Sequence, residues 1–238
     1  MAFGPDRRTM APSQARTADI DVGLRQYMLG VYNYMTLALV MTGLVAFGVS
    51  NSPAMLQVIF GTPLKWVVFL APLGMVFFLA ARINHMKAST AQISFWIYAC
   101  LVGLSLASIF IAYTGESIVR TFFITASAFA GLSLFGYTTK KDLSGFGSFL
   151  IMGVFGLIIA MVVNIFLESS AMQMMISVLG VLIFAGLTAY DTQQIKEMYS
   201  EADDGEVAQK KSIMGALRLY LDFLNLFLFM LQFLGNRE

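Results

Sequence analysis

The sequence predicts an all-α integral membrane protein with seven transmembrane helices. Three observations predict the class. The 238 residues are 58% hydrophobic and only 12% charged, whereas an average soluble domain is about 25% charged. The apolar residues gather into seven separate runs, each near the roughly 20 residues that a bilayer core requires. Basic residues collect between these runs, almost all on alternate links. A large buried core does not account for several runs of spanning length. Spans must be helices, because an open sheet leaves backbone groups unsatisfied in lipid.

Residues 1–26 are polar and carry Arg7, Arg8, Arg16 and Arg25 with Pro5 and Pro12. They contain no apolar stretch of signal-peptide type and read as a mostly disordered cytoplasmic tail whose last residues lead into a helix. Residues 27–238 form the membrane domain. Its spans are about 27–49, 66–83, 91–113, 118–138, 147–167, 173–196 and 213–234. The second follows Pro63 and stops around Arg82. The fourth ends at Thr138-Thr139-Lys140-Lys141. The sixth contains Asp191 and the seventh contains Asp222. Arg82 and Lys87, then Lys140 and Lys141, then Lys196, Lys210 and Lys211 fall on the same side as the tail arginines, while Lys65 is almost alone opposite. Cytoplasmic loops carry the excess of Lys and Arg. The N-terminus is therefore placed in the cytoplasm and, with seven spans, the C-terminus outside; a re-entrant seventh span returns it inside.

Other chemistries find little support. A net charge of +1 points to no nucleic acid. One cysteine, Cys100, and one histidine, His85, supply neither a disulfide nor a metal cluster. No GxGxxG or Walker pattern occurs. The sixteen methionines read as flexible apolar filling. Ala126, Ala130, Gly131, Gly153, Gly156, Gly180 and Gly186 read as small residues that let helices approach closely. The link 197–212 holds Glu197, Glu201, Asp203, Asp204 and Glu206. Their spacing does not fit a calcium loop of EF-hand type, so it reads as a solvated acidic loop.

Two carboxylates are the exceptional feature. Asp191 lies in Gly186-Leu187-Thr188-Ala189-Tyr190-Asp191-Thr192-Gln193-Gln194-Ile195, and Asp222 in Leu219-Tyr220-Leu221-Asp222-Phe223-Leu224-Asn225-Leu226-Phe227. A charge at the centre of a membrane helix costs roughly 2.5–3.5 kcal/mol on insertion scales, so such residues mark function by default. Counted inward from the cytoplasmic ends of their spans, they lie roughly 10 and 13 Å deep at 1.5 Å per residue, and they meet if the two spans are neighbours. Arg82 ends the second span on the same side. Arg218, Asp222 and Asn225 step by four and three and share one helical face, approximately extended by Gly215 and Gln232. Thr188, Asp191 and Gln194 form a shorter stripe. Two nearby carboxylates in low dielectric share a proton over some pH range. Deprotonated, they bind a hard cation through oxygen; sharing a proton, they latch two helices. The competing reading is an internal polar cluster without transport, which neutralisation of Asp222 by Arg218 favours. Intramembrane proteolysis fits poorly. Tyr190-Asp191 matches half of the presenilin-like pattern, but Tyr220-Leu221-Asp222 lacks the glycines. No catalytic residue and no cofactor are assigned, and the chain does not read as an enzyme.

At these residues the chain resembles the Bax inhibitor-1 (transmembrane Bax-inhibitor-motif) family in its bacterial branch. Lys140-Lys141-Asp142-Leu143-Ser144 also resembles the family's loop before the fifth span. The resemblance implies the seven-helix fold around a central C-terminal helix, and a pH-sensitive Ca²⁺ leak in a bacterial inner membrane. It implies Asp191 and Asp222 as the cation- and proton-sensing pair and Arg82 as a latch to an aspartate in the closed form. Arg218, Asn225 and Thr188 are the supporting polar residues. Some bacterial relatives restrain a membrane-bound AAA protease, so a non-conducting, partner-binding regulator is the alternative. Two features depart from the family pattern. Phe69-Leu70-Ala71-Pro72-Leu73-Gly74 carries no carboxylate in the outer half of the second span, and Arg218 adds a positive charge beside the pair.

Overall fold

A computed structural model describes residues 12–236, with side chains from Val22 onward. Arg7, Arg8 and Arg237, and the side chain of Arg16, lie outside that description. Of the described residues, 87% are helical. In order the helices are α1 (Pro12–Ser50), α2 (Pro53–Phe60), α3 (Leu64–Arg82), α4 (Ala88–Leu106), α5 (Ile109–Ala112), α6 (Gly115–Thr138), α7 (Ser144–Leu167), α8 (Ser170–Glu197) and α9 (Gly205–Leu234). Seven helical segments are long and apolar enough to cross a membrane. They coincide with the predicted spans, α5 completing the third as Ala88–Ala112.

Local chemistry fixes the ends. Ser52, Thr114, Ser169 and Asp204 cap α2, α6, α8 and α9 by accepting from the backbone N–H three residues on, as N-cap side chains do. Glu168 closes α7 in the left-handed region at φ 49°. Pro72 lies inside α3; membrane helices tolerate the missing donor because neighbours re-satisfy the freed carbonyl. The structure corrects two boundaries. The helix starts at Pro12, so the second half of the predicted tail is already helical. The last helix starts at Gly205, because Asp204 caps it, so the predicted link 197–212 shrinks to 198–204. Lys210 and Lys211 stand on the first turns of α9.

α9 is the most enclosed helix. Two thirds of its spanning window (67%) is buried, against 11–33% for the other six. It packs directly on α1, α4, α6 and α8, while α3 lies on α4 and α7 on α8. The outer face of α7 presents Phe155, Ile159 and Phe166, as a lipid-facing helix must when hydrocarbon is the solvent. Tyr220, fully buried on α9, sits edge-on to Phe95 and Tyr98. Its hydroxyl meets Thr42 Oγ1 at 2.6 Å, and Thr42 donates to the Ala99 carbonyl at 2.9 Å. One polar contact thus joins α1, α4 and α9.

The small residues divide. A Cβ on Gly180 would lie 2.5 Å from the Phe229 ring, and one on Gly186 2.6 Å from Leu150. Gly131 and Gly156 have nothing within 4 Å. A tight backbone approach falls instead at Gly136, where a Cβ would stand 2.2 Å from the Ala189 carbonyl oxygen. Gly136 brings α6 onto α8 two residues from Asp191.

Candidate functional site

α8 and α9 form an antiparallel hairpin through the short 198–204 link, which makes their carboxylates neighbours. Lys211 holds the link, donating to Asp203 at 2.6 Å and to the Met198 carbonyl at 2.9 Å. Asp222 is buried, 4% exposed, and Asp191 is half-buried. Their side chains face each other within reach of a hydrogen bond. Ionised carboxylates only accept, so such a bond forms only when one of the two is protonated, and the pair then carries one negative charge between two groups. Asp222 Oδ2 is buried with no hydrogen-bond partner among the described residues.

Arg218, one turn before Asp222 on α9, attracts both aspartates electrostatically without an ion-pair contact to either. It is exposed, in a recess of about 380 Å³ that also takes in Asn84, Lys210 and Lys211. The charge beside the pair is therefore Arg218. Arg82, the expected latch, is exposed at the end of α3 and makes no ion pair with either aspartate in this structure. The predicted supporting residues stand at the right level but bond within their own helices. Asn225 donates to the Leu221 carbonyl at 2.8 Å, and Thr188 to the Phe184 carbonyl at 2.8 Å.

Several residues around the pair escaped the sequence reading. Gln193, next but one to Asp191, clamps the loop before α7. Its amide donates to the Lys141 carbonyl and its oxygen accepts from the Leu143 N–H, both at 2.8 Å. The motif around Asp191 is thereby joined to the Lys140–Ser144 loop. Ser133 Oγ meets Thr192 Oγ1 at 2.9 Å and the Tyr32 hydroxyl at 2.5 Å, and Thr192 donates to the Thr188 carbonyl. This chain links α1, α6 and α8. At the far end of α8 and α9, Gln173 bridges Asn164 and Gln232, which also accepts from Ser177. That cluster lines a recess of about 580 Å³. Between recess and pair, Phe184 and Phe229 stack at 5.8 Å and close the space.

The donor set is sparse. Ca²⁺ takes about six to eight oxygens, and the described residues hold no group of three or more acidic or metal-ligating side chains. Two carboxylates and the Asn225 amide oxygen suit transient passage rather than resident binding, and conduction needs a site weak enough to leave.

One titrating group outside the spans is separable from the pair. Asp142 accepts from the Ser144 backbone and side chain, which holds its carboxyl below the usual carboxylate range. A depressed value means that its contribution to the start of α7 is present above the unfolded carboxylate range and lost as pH falls through the lowered value. Asp142→Asn is therefore expected to leave any pH response near neutrality unchanged, read as Ca²⁺ flux against pH; a displaced neutral response would assign the sensor to this loop.

A helical membrane protein with two facing carboxylates on its last two helices is the class that fold and site define. The family model described as "Inhibitor of apoptosis-promoting Bax1" matches residues 24–238. Protein RP147 of Rickettsia prowazekii is 48% identical over 94% of this chain and 95% of its own length. A Caulobacter vibrioides protein is 48% identical over 95% of each, and inner membrane protein YbhL of Escherichia coli is 44% identical over 91% and 94%. The chain belongs to the Bax inhibitor-1 family of membrane proteins.

Proposed function

We propose that the protein is a pH-sensitive Ca²⁺ leak of a bacterial inner membrane, with Asp191 and Asp222 as its cation- and proton-sensing pair. The membrane follows the name of the Escherichia coli relative, and the basic links assign the N-terminus to the cytoplasm and the C-terminus outside. The observation that carries the reading is the placement of two carboxylates within hydrogen-bonding reach of each other on adjacent helices. They bond only while a proton is shared. Removing that proton leaves two like charges facing each other, a repulsion of roughly a few kcal/mol at an effective dielectric of about 20. That repulsion loosens α8 from α9 at the pair. The freed oxygens, with Asp222 Oδ2 already unpartnered, then face a passing cation. Rising pH opens this leak.

The closed path supports the reading: a polar recess at one end, the stacked Phe184 and Phe229, then the pair and the Arg218 recess. The test is Ca²⁺ entry into dye-loaded proteoliposomes of purified protein between about pH 5 and 8. Flux rising with pH supports the leak. No flux above empty liposomes at any pH overturns it and leaves the partner-binding regulator, for which capture of a membrane-bound AAA protease is the next experiment.

Arg218, rather than Arg82, is then the cation that tunes the proton affinity of the pair, favouring its open, ionised state. A guanidinium favours the ionised pair, so without it a higher pH is needed to remove the proton. Arg218→Gln is expected to displace the flux profile to higher pH, and Arg82→Gln to leave it in place. The reverse pattern would restore Arg82 as the latch.

A further inference from the structure

A groove of about 620 Å³ runs along the outside of the bundle between α1 and α6. Both helices pack on α9, and Phe129 and Phe223 form the floor. The Tyr32–Ser133 hydrogen bond crosses between the walls. The groove lies within spanning segments, so its solvent is lipid. From Arg25 to Leu39 on one wall is fourteen residues, roughly 21 Å of rise. That exceeds the roughly 15 Å of hydrocarbon in one leaflet, half of a core about 30 Å thick. The lining is almost wholly apolar.

Its mouth is cationic. Arg25 lines it and is exposed, with no hydrogen-bond or ion-pair partner among the described residues. Behind the opposite wall Lys196 of α8, outside the lining, donates to the Tyr137 carbonyl at 2.8 Å and stands 5.4 Å over the Tyr137 ring. Among the described residues no carboxylate lines the groove. An apolar trough one leaflet deep with a positive, acid-free mouth matches a phospholipid of net negative headgroup, because basic pockets at this level bind acidic headgroups.

We propose that the groove between α1 and α6 is a binding site for one anionic phospholipid of the cytoplasmic leaflet, its headgroup at Arg25 and an acyl chain against Phe129 and Phe223; the leaflet rests on the orientation proposed above. A chain seated there touches Phe223, next to Asp222, and Ser133, whose hydroxyl bonds Thr192 beside Asp191. The lipid therefore packs against the polar chain that supports the carboxylate pair.

The test is native mass spectrometry of the full chain after equilibration in vesicles of equimolar phosphatidylglycerol and phosphatidylcholine with matched acyl chains. Wild type is expected to retain one phosphatidylglycerol in preference to phosphatidylcholine. Arg25→Gln is expected to reduce that preference about fivefold, the effect of one basic side chain at a membrane surface. Ala130→Trp, which fills the trough from an exposed position on α6, is expected to lose both lipids. Wild type retaining no lipid, equal retention of the two, or an unchanged preference in Arg25→Gln would each overturn the proposal. Should Ala130→Trp fail to fold, Arg25→Gln decides alone. The readout is independent of Ca²⁺ flux.

Discussion

Asp222→Asn is expected to hold Ca²⁺ flux low at every pH, with Asp191→Asn behaving alike. The amide offers a permanent N–H to the remaining carboxylate. The link that wild type makes only when protonated then persists at all pH values. For a single shared proton, wild-type flux changes by at most about tenfold per pH unit; the asparagine variants change little across the same range. Asp222→Ala removes the link altogether and is expected to give high flux at low pH, the opposite direction from asparagine. The paired outcome separates a proton latch from loss of a cation ligand, because ligand loss lowers flux in both substitutions. Proteoliposome flux between about pH 5 and 8 reads all three. A wild-type pH profile retained in both asparagine variants would sink the assignment of the sensor to this pair.

Gly136→Ala is expected to be the most damaging methyl group that can be added near the site. Its Cβ would stand 2.2 Å from the Ala189 carbonyl oxygen. The obstacle is backbone, which has no rotamer to yield, so α6 must move off α8. Overpacking of a well-packed core costs about 1–3 kcal/mol. The same shift would strain the Ser133–Thr192 contact three residues away. Gly131→Ala is the matched control on the same helix. With nothing within 4 Å, it gains the helix preference of alanine over glycine, roughly 0.5–1 kcal/mol. Thermal melts in detergent should place the two variants on opposite sides of wild type. Equal melting temperatures would mean that α6 and α8 are not held this close.

The spans were legible because a bilayer imposes length and apolarity on every crossing segment, independent of its neighbours. Seven runs in the chain became seven helical segments with ends displaced by a few residues. The carboxylates were legible for the same reason: a charge in an apolar run is costly and therefore stands out. Their meeting followed from the short link between adjacent spans. What the sequence could not place concerns long side chains. Arg82 and Arg218 both sit at plausible depth, and sequence gives no azimuth for a residue at the end of another helix. Arg218 is fixed by its place one turn from Asp222 on the same helix, whereas the face of α3 that Arg82 occupies depends on how α3 leans on α4.

The sequence by itself determined the class, the seven spans, the basic side and the two residues around which the site is built, since each follows from the solvent that a segment must enter. The tertiary structure decided which glycine makes the close approach and which polar residues bond to which. It also decided that α1 and α6 leave a trough between them. These depend on distances between residues far apart in the chain. Gly136 against Ala189 and Tyr32 against Ser133 have no local signature, because the contact that gives each its meaning is made by another helix.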